Sequence, residues 1–326
     1  MQQSPIALTC GEPAGIGPEL APLARAVLGD TVPFFWIGDP RHLPARTPHV
    51  LIDHADQAVA VPAHLLPVLP HDFPEPQLPG IPQPQNAQSV IDVIARAVAL
   101  VQGGHAAAIC TAPIHKKALK NGAEFAFPGH TEYLAHLAGV RDVVMMLASD
   151  LLRVVPTTIH IALDQVAHQL TEPLLETTIR ITEAALRQDF GLVRPRIAVA
   201  GLNPHAGEGG AMGGEEQTFI AGLVQRLAAE GFDITGPMPA DTMFHARARA
   251  RYDVAICMYH DQALIPIKTL DFDGGVNVTL GLPFVRTSPD HGTAFDIAGK
   301  GIARPDSLIA AMRLAAQMVK ARYGND

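Results

Sequence analysis

Short apolar runs alternate with longer segments of helical periodicity, and this alternation restricts the fold more than any other feature of the chain. Residues 6–10 and 106–110 are two such runs, and each borders a segment with apolar residues at helical spacing. A short buried strand next to a helix is the pattern of βα units, whose strands pair in parallel. The sequence therefore predicts an α/β protein with largely parallel sheets.

Residues 62–84 interrupt this alternation, because prolines recur there every few positions. Proline lacks a backbone N–H and prevents a regular helix. We therefore expect an extended connection at the surface, and the sequence suggests no function for it.

Size, charge and cysteine content limit the class of protein. A chain of 326 residues suits two domains with a cleft. The formal net charge of −8 and the lack of a Lys/Arg run argue against a nucleic-acid partner, since phosphate backbones attract clustered cations. No apolar stretch approaches the roughly 18 residues of a membrane span, so we expect no membrane partner and a cytoplasmic protein. The three cysteines form no CxxC pair, and we expect them to be reduced and buried.

Three histidines follow apolar runs, namely His160, His205 and His260. Their separations of 45 and 55 residues match no local zinc-finger spacing, so only the fold could bring them together. A common site is favoured because His205 precedes a glycine-rich turn and Asp261 follows His260. Three imidazoles with open coordination positions can bind Zn²⁺ or another divalent ion and polarise a substrate oxygen.

Two further groups of residues are candidates for binding an anion. Lys268, Asn277 and Arg286 are spaced nine residues apart and lie beside apolar or glycine-containing segments. A guanidinium at Arg286 can bind a phosphate or a carboxylate bidentately, although a solvated face would have the same composition. The tetrapeptide GHTE offers backbone amides at the start of a helix, together with the side chains of His130 and Thr131.

The segment PDHGTAFDIAGKGIARP is the most distinctive loop. Its glycines let the backbone approach a ligand, and Asp296 can accept hydrogen bonds from a ribose or an adenine amino group. It resembles the adenosine-binding loop of isopropylmalate and isocitrate dehydrogenases, HGxAxDIAGKGIANP, with Arg304 in place of the asparagine. The early motif GEPAGIG lacks the GxGxxG spacing, so a Rossmann site is not predicted.

A larger set of motifs occurs in order along the chain: GEPAGIGPE, TAPIHK, FPGHTE, GLNPHAGEGG with GGEE, GPMPADT, YHDQ and NVTLGLPFVRTSPDHGTA. Together they resemble the 4-hydroxythreonine-4-phosphate dehydrogenase family of pyridoxal phosphate biosynthesis. The resemblance extends to about residue 307, with Pro289 standing where we expect an aliphatic residue.

The resemblance implies that NAD or NADP oxidises the C3 hydroxyl of 4-phosphooxy-L-threonine to 2-amino-3-oxo-4-phosphooxybutanoate. This product would decarboxylate to 3-amino-2-oxopropyl phosphate. The family also implies one divalent ion per site (Zn, Mg or Co) and a homodimer with its active site at the interface. Its fold would have two α/β domains with a cleft, similar to isocitrate and isopropylmalate dehydrogenases and different from a Rossmann fold. One domain, residues 1–127 and 270–326, would carry the nucleotide loop. Residues 128–269 would carry most of the metal and dimer-interface residues.

Site residues are carried over by matching motifs. The metal ligands would be His160, His205 and His260. The substrate-binding residues would be His130, Thr131, Lys268, Asn277 and Arg286. The cofactor-binding residues would be His291, Gly292, Thr293, Ala294 and Asp296. The catalytic base would be Asp261 or Asp241, and we favour Asp261 because it adjoins a predicted metal ligand.

Three alternatives remain open from the sequence. A related dehydrogenase could act on threonate or erythronate 4-phosphate or on an aromatic dihydrodiol. Three histidines and an aspartate would also suit a metal-dependent hydrolase, which would need no NAD. A metabolite-binding module without catalysis is the third alternative.

Overall fold

The computed structural model describes residues 4–29 and 31–324. The described part contains the following β-strands: β1 Ile6–Thr9, β2 Phe34–Gly38, β3 His49–Leu51, β4 Leu66–Pro70, β5 Ala108–Thr111, β6 Val144–Ala148, β7 Arg153–Pro156, β8 Arg196–Ala200, β9 Asp233–Met238, β10 Val254–Cys257, β11 Val276–Leu280 and β12 Val285–Pro289. It contains the following α-helices: α1 Gly17–Leu28, α2 Ala87–Gln102, α3 Lys116–Ala123, α4 His130–Ala138, α5 Val166–Gln169, α6 Glu172–Gln188, α7 Ala221–Ala229, α8 Ala246–Arg249, α9 His260–Leu270 and α10 Asp306–Tyr323.

The chain divides into two compact units, and the first comprises Met1–Arg141 and Leu282–Asp326. Its strands lie in the order β3-β4-β2-β1-β5-β12, and every neighbouring pair is parallel. The aromatic side chains of β2, including Trp36, are fully buried. Because all six strands run the same way, their carboxyl ends meet at one edge, where open α/β sheets bind ligands.

The second unit, Asp142–Gly281, contains the strand order β11-β6-β7-β10-β8-β9. The pairs from β7 to β9 are parallel, whereas β6 pairs with β7 and β11 in the antiparallel sense. The core includes Val154, Ala255 and Ile267, which lie on β7, β10 and α9. The α/β class with largely parallel sheets is therefore confirmed.

The two units begin and end at different residues from those expected. The expected divisions followed residues 127 and 269, whereas the structure divides after Arg141 and Gly281. Helix α4 packs against α2, and Tyr133 of α4 contacts the rings of Phe125 and Phe127. Strand β11 pairs with β6. These contacts assign α4 to the first unit and β11 to the second, while the functional division into domains stays a prediction.

The proline-rich segment is more ordered than a surface connection. Its residues Leu66–Pro70 form β4, which pairs with both β2 and β3 and is mostly buried. The buried Arg25 of α1 donates hydrogen bonds to the carbonyl oxygens of Val61, Pro62 and Leu65. The expectation of a surface connection was wrong here, because β2 and β3 pair with β4 on its two sides and cover it.

The sequence also predicts two helix caps, Thr171 before Glu172 and Pro173, and Ser307 at the start of the last helix, and the structure tests both together with the cysteines. Thr171 caps α6 by accepting a hydrogen bond from the backbone N–H of Leu174, as predicted. Ser307 does not cap α10, since it lies inside that helix and its hydroxyl accepts a hydrogen bond from the N–H of Asp290. The cysteines are buried and free, as expected. Within residues 4–29 and 31–324, no helix is long and apolar enough to cross a membrane.

Candidate active site

A buried guanidinium lies at the carboxyl edge of the first unit's sheet. Arg286 of β12 is only 3% exposed, and its Nη2 donates a 2.6 Å hydrogen bond to Oγ1 of Thr111, the last residue of β5. Burial lowers the pKa of Arg286 to about 10. Burial penalises the charge of a cation. An anion that binds beside the cation offsets this penalty and is therefore bound favourably.

His130 lies near this guanidinium, at the first position of α4. Burial and the positive charges of Arg286 and Lys116 hold the pKa of His130 well below its usual range. Its Nε2 atom is shielded from solvent and has no hydrogen-bond partner among the residues that the structure describes. Thr131 follows it in the first turn of α4 and is partly exposed. The structure thus brings Arg286 and the first turn of α4 into one electrostatic environment in the first unit.

The glycine-rich loop after β12 is anchored to α1 and α10. The carbonyl of Thr293 accepts a 3.1 Å hydrogen bond from the N–H of Ile16, just before α1. The carboxylate of Glu19 accepts a hydrogen bond from the N–H of Gly299. Ala294 has φ +48°, a left-handed conformation that a non-glycine residue adopts only when its surroundings impose it. The loop is therefore a preformed structure.

The proline-rich segment and the TAPIHK motif also contact this loop. Gly80 donates a 2.7 Å hydrogen bond to the carbonyl of Ala14, before α1, and a Cβ built on Gly80 would lie 3.0 Å from the carbonyl oxygen of Phe295 in the loop. The ring of His115 meets the ring of Phe295 edge to face, with centroids 4.9 Å apart. The predicted cofactor residues of the loop remain accessible, since Gly292 and Asp296 are exposed and His291, Thr293 and Ala294 are partly exposed.

Two of the predicted metal ligands are neighbours in the second unit. The ring centroids of His160 and His260 are 5.9 Å apart, at an interplanar angle of 44°. Two imidazoles that share a tetrahedral ion at about 2.1 Å have ring centres roughly 5 to 6 Å apart. The Nδ1 of His260 lies 2.7 Å from Oδ1 of Asp261, and a hydrogen bond there leaves the other ring nitrogen, Nε2, available as a ligand.

His205 does not complete this pair within one chain. Among residues 4–29 and 31–324, no group of three or more His, Cys, Asp or Glu side chains is suited to one ion. His205 is exposed and lies in the turn Pro204–Gly210, where His205, Ala206 and Glu208 all have positive φ. Because His205 is exposed on a strained turn, its imidazole can contribute to a site that includes groups from outside its own chain.

The remaining predicted residues of the second unit lie on α9, β11 and a short turn. Lys268 shares an open depression of about 380 Å³ with His260 and Asp261. Asn277 lies in β11, and its Oδ1 is shielded from solvent without a hydrogen-bond partner in the described part of the chain. Asp241 is exposed in the turn Ala240–Thr242. Lys268 is thus brought close to His260 and Asp261, and the turn that carries Asp241 packs against the turn Pro204–Gly210 that carries His205.

Comparison with known proteins gives the family. The chain matches the model described as Pyridoxal phosphate biosynthetic protein PdxA over residues 31–315. It is 67% identical over 316 residues to a 4-hydroxythreonine-4-phosphate dehydrogenase of Roseobacter denitrificans, with 97% of each chain covered. The crystal structure of a Klebsiella pneumoniae 4-hydroxythreonine-4-phosphate dehydrogenase is 41% identical with a TM-score of 0.88, covering 97% of this chain and 100% of that one.

A relative with a different substrate is also found. The structure of a terephthalate 1,2-cis-dihydrodiol dehydrogenase from Burkholderia xenovorans is 27% identical, with a TM-score of 0.67, and covers 97% of this chain and 98% of that one. The fold and these relatives define an α/β dehydrogenase. Within that class, the chain belongs to the PdxA family of pyridoxal phosphate biosynthetic proteins, which confirms the resemblance drawn from its motifs.

Two structural residues of the site were missed by the sequence analysis. Glu19 fixes the glycine-rich loop, and Gly80 joins the proline-rich segment to the loop preceding α1. Lys116 adds a positive charge beside His130, and the sequence itself places it just after the strand 106–110, at the end where open α/β sheets bind ligands. No sequence signal pointed to Glu19 or Gly80, because their partners lie far along the chain.

Proposed function

We propose that this protein is a 4-hydroxythreonine-4-phosphate dehydrogenase, which oxidises the C3 hydroxyl of 4-phosphooxy-L-threonine with NAD or NADP. The 2-amino-3-oxo-4-phosphooxybutanoate formed would lose CO₂ to give 3-amino-2-oxopropyl phosphate for pyridoxal phosphate biosynthesis. The observation that carries the proposal is the buried Arg286 beside His130, which favours an anionic substrate in a dehydrogenase of this family.

The substrate's charged groups are assigned to the predicted substrate-binding residues. Arg286 would bind an anionic oxygen through its planar guanidinium, and His130 would contribute its neutral ring. Thr131 and the first backbone amides of α4 would add uncharged donors. Lys268 and Asn277 complete the proposed set, and Lys268 is supported by the depression that it shares with His260.

The glycine-rich loop is proposed to hold the adenosine half of the dinucleotide. Exposed Gly292 leaves the backbone open to a ligand, because an added Cβ would meet no atom within 4 Å. His291, Thr293 and Ala294 would line the loop, and exposed Asp296 would accept hydrogen bonds from ribose or adenine hydroxyl and amino groups. The preformed loop suits this assignment, because little ordering would be needed on binding.

A divalent ion is proposed at His160, His260 and His205, with Zn, Mg or Co as the candidates. The donor set fits, since two imidazoles are already at the separation that one ion requires. When bound, such an ion would supply Lewis-acid polarisation of the substrate oxygen. Asp261 orients the ring of His260 and, being exposed, is also our favoured base over Asp241.

We further propose a homodimer in which His205 reaches the histidine pair of the partner subunit. Its exposure on a strained turn supports this arrangement. So do Ile265 and Phe272, which are large apolar side chains 61% and 74% exposed on and just after α9. Exposed apolar groups around a functional site are typical of a protein interface.

The substrate assignment is tested by following nicotinamide absorbance with three compounds: 4-phosphothreonine, unphosphorylated 4-hydroxythreonine and 4-phosphothreonate. We expect kcat/KM to be highest for 4-phosphothreonine and at least about 100-fold lower without the phosphate, because the buried cation would lose its partner. No turnover of 4-phosphothreonine would overturn the proposal.

A dihydrodiol dehydrogenase is the second candidate, because a relative of that kind shares the fold over nearly the whole chain. Arg286 could bind a carboxylate of an aromatic diol as well as a phosphate. This candidate predicts turnover of terephthalate dihydrodiol and none of 4-phosphothreonine.

The loop assignment makes a separate prediction for two glycines. Gly299 and Gly301 have φ of +76° and +66°, so alanine is strained at both. At Gly299, however, an added Cβ would also lie 2.7 Å from Cβ of Pro79, whereas at Gly301 it would meet nothing within 4 Å. We expect Gly299→Ala to raise KM for the dinucleotide roughly tenfold, and Gly301→Ala to raise it much less. Equal effects on KM would contradict a role for the Pro79 contact in shaping the loop.

A further inference from the structure

Lys116 lies over the start of α4, next to His130. It is the first residue of α3, and its side chain is exposed. A Cβ built on Gly129, the residue that precedes α4, would lie 3.2 Å from Cε and 3.4 Å from Nζ of Lys116. Glycine at this position therefore leaves room for the lysine stem, and the ammonium group lies beside the first backbone amides of a nine-residue helix.

The ammonium group of Lys116 is available to a ligand. Within the described residues, Lys116 forms neither a hydrogen bond nor an ion pair. The carboxylate of Glu132 approaches the same glycine, with Oε2 3.4 Å from the added Cβ, but it makes no ion pair with the lysine. An ammonium group beside N-terminal helix amides is an unfavourable arrangement without an anion, because the helix dipole repels it.

Two features favour an anion at the same place. The shielded Nε2 of His130 has no partner within the described chain. The positive charges of Lys116 and Arg286 both act on that imidazole, so both cations lie near it. An anion bound beside these cations would relieve the charge repulsion and could accept a hydrogen bond from the histidine.

We infer that Lys116 binds a phosphate group in the active site and contributes to the choice of a phosphorylated over an unphosphorylated substrate. The inference rests on the proposed function for the identity of the substrate. A lysine suits this role because its compact ammonium charge binds phosphate from one side without a fixed orientation. The phosphate could belong to the substrate or to the dinucleotide, since the adjacent His115 contacts Phe295 of the glycine-rich loop.

The test compares Lys116→Met with Lys117→Met. Methionine removes the charge and keeps an unbranched stem over Gly129. Lys117 is the matched control, because it is an exposed lysine on the same helix, rotated by about 100° from Lys116. For each variant, kcat and KM are measured with 4-phosphothreonine, with its unphosphorylated form and with the dinucleotide. The melting temperature is also measured with and without inorganic phosphate.

We expect Lys116→Met to raise KM for 4-phosphothreonine roughly tenfold to fiftyfold, the usual cost of a lost charged hydrogen bond. The preference for the phosphorylated substrate should fall by the same factor, and kcat should change much less. A rise confined to KM for the dinucleotide would place Lys116 at a phosphate of the cofactor and would overturn its role in the choice of substrate. Lys117→Met should behave as the unsubstituted enzyme in every measurement.

The inference is overturned if Lys116→Met and Lys117→Met have the same kinetic constants, or if both forms of the substrate are affected equally. Failure of the proposed function would look different, because the unsubstituted enzyme itself would then not turn over 4-phosphothreonine. In that case the phosphate titration decides. A rise in melting temperature that is lost only in Lys116→Met supports the inference, and a rise that is equal in both variants refutes it.

Discussion

Replacement of Arg286 by alanine is expected to lower kcat/KM for 4-phosphothreonine by roughly 30- to 1,000-fold. This range corresponds to about 2–4 kcal/mol, the usual cost of removing one member of a buried, hydrogen-bonded charge pair. Arg286 is the most deeply buried cation of the proposed substrate set, and its hydrogen bond to Thr111 fixes the orientation of the guanidinium. Steady-state kinetics with 4-phosphothreonine measure the effect.

The Arg286→Lys variant tests how much of the effect comes from the positive charge and how much from the planar arrangement of the guanidinium donors. Lysine keeps the positive charge but loses the planar pair of donors, so we expect an intermediate loss of kcat/KM. Both variants should keep a cooperative thermal transition, which shows that the strand has not been disrupted. Full activity in folded Arg286→Ala would contradict the assignment of Arg286 to the substrate.

The pKa of His130 provides a readout of the same geometry without turnover. The positive charge of Arg286 disfavours the imidazolium form and lowers the pKa of His130. Removing that charge should therefore raise the pKa, as measured by NMR titration of the histidine in Arg286→Ala without substrate. An unchanged pKa would show that the two side chains do not share one electrostatic environment.

Replacement of His205 by alanine is expected to remove the bound metal and to reduce turnover by at least about 1,000-fold. The remaining pair, His160 and His260, offers two imidazoles, and two neutral ligands hold a divalent ion far less tightly than three. Metal content per subunit is measured by mass spectrometry on protein purified without chelators, in parallel with dehydrogenase activity. The control is His168→Ala, which removes an exposed histidine of the same unit.

Retention of both metal and activity in His205→Ala would refute the ligand assignment. Loss of both in His168→Ala would show instead that this unit tolerates no histidine substitution. Neither result depends on the identity of the ion, so the experiment applies equally to Zn, Mg and Co.

Mixing two inactive variants tests whether the ligands come from different subunits. In a dimer of one His205→Ala chain and one His260→Ala chain, a shared arrangement leaves one of the two sites with all three histidines. Random reassortment would then restore about a quarter of the activity, because half of the dimers are mixed. If all ligands came from one chain, mixing would restore nothing.

The sequence alone was sufficient for the class of fold and for the family. Short apolar runs beside helical segments predicted the α/β class because burial on both faces of a parallel sheet demands continuous apolar strands. The motifs in order predicted the PdxA family, which the comparisons confirmed. Thr171 was found as a helix cap because its signal is local, involving residues within one turn.

The tertiary structure decided what depends on contacts between distant residues. Leu66–Pro70 forms a buried strand although its prolines suggested a surface connection, because β2 and β3 supply its partners. Ser307 accepts a hydrogen bond from a loop residue instead of capping its helix. The position of Lys116 over Gly129 and beside His130 is a result of the fold, because these residues belong to different helices. The local sequence determines which residue types are present for the chemistry. The burial of each side chain and the charges around it depend on neighbours that are distant in the sequence, as Thr111 is from Arg286.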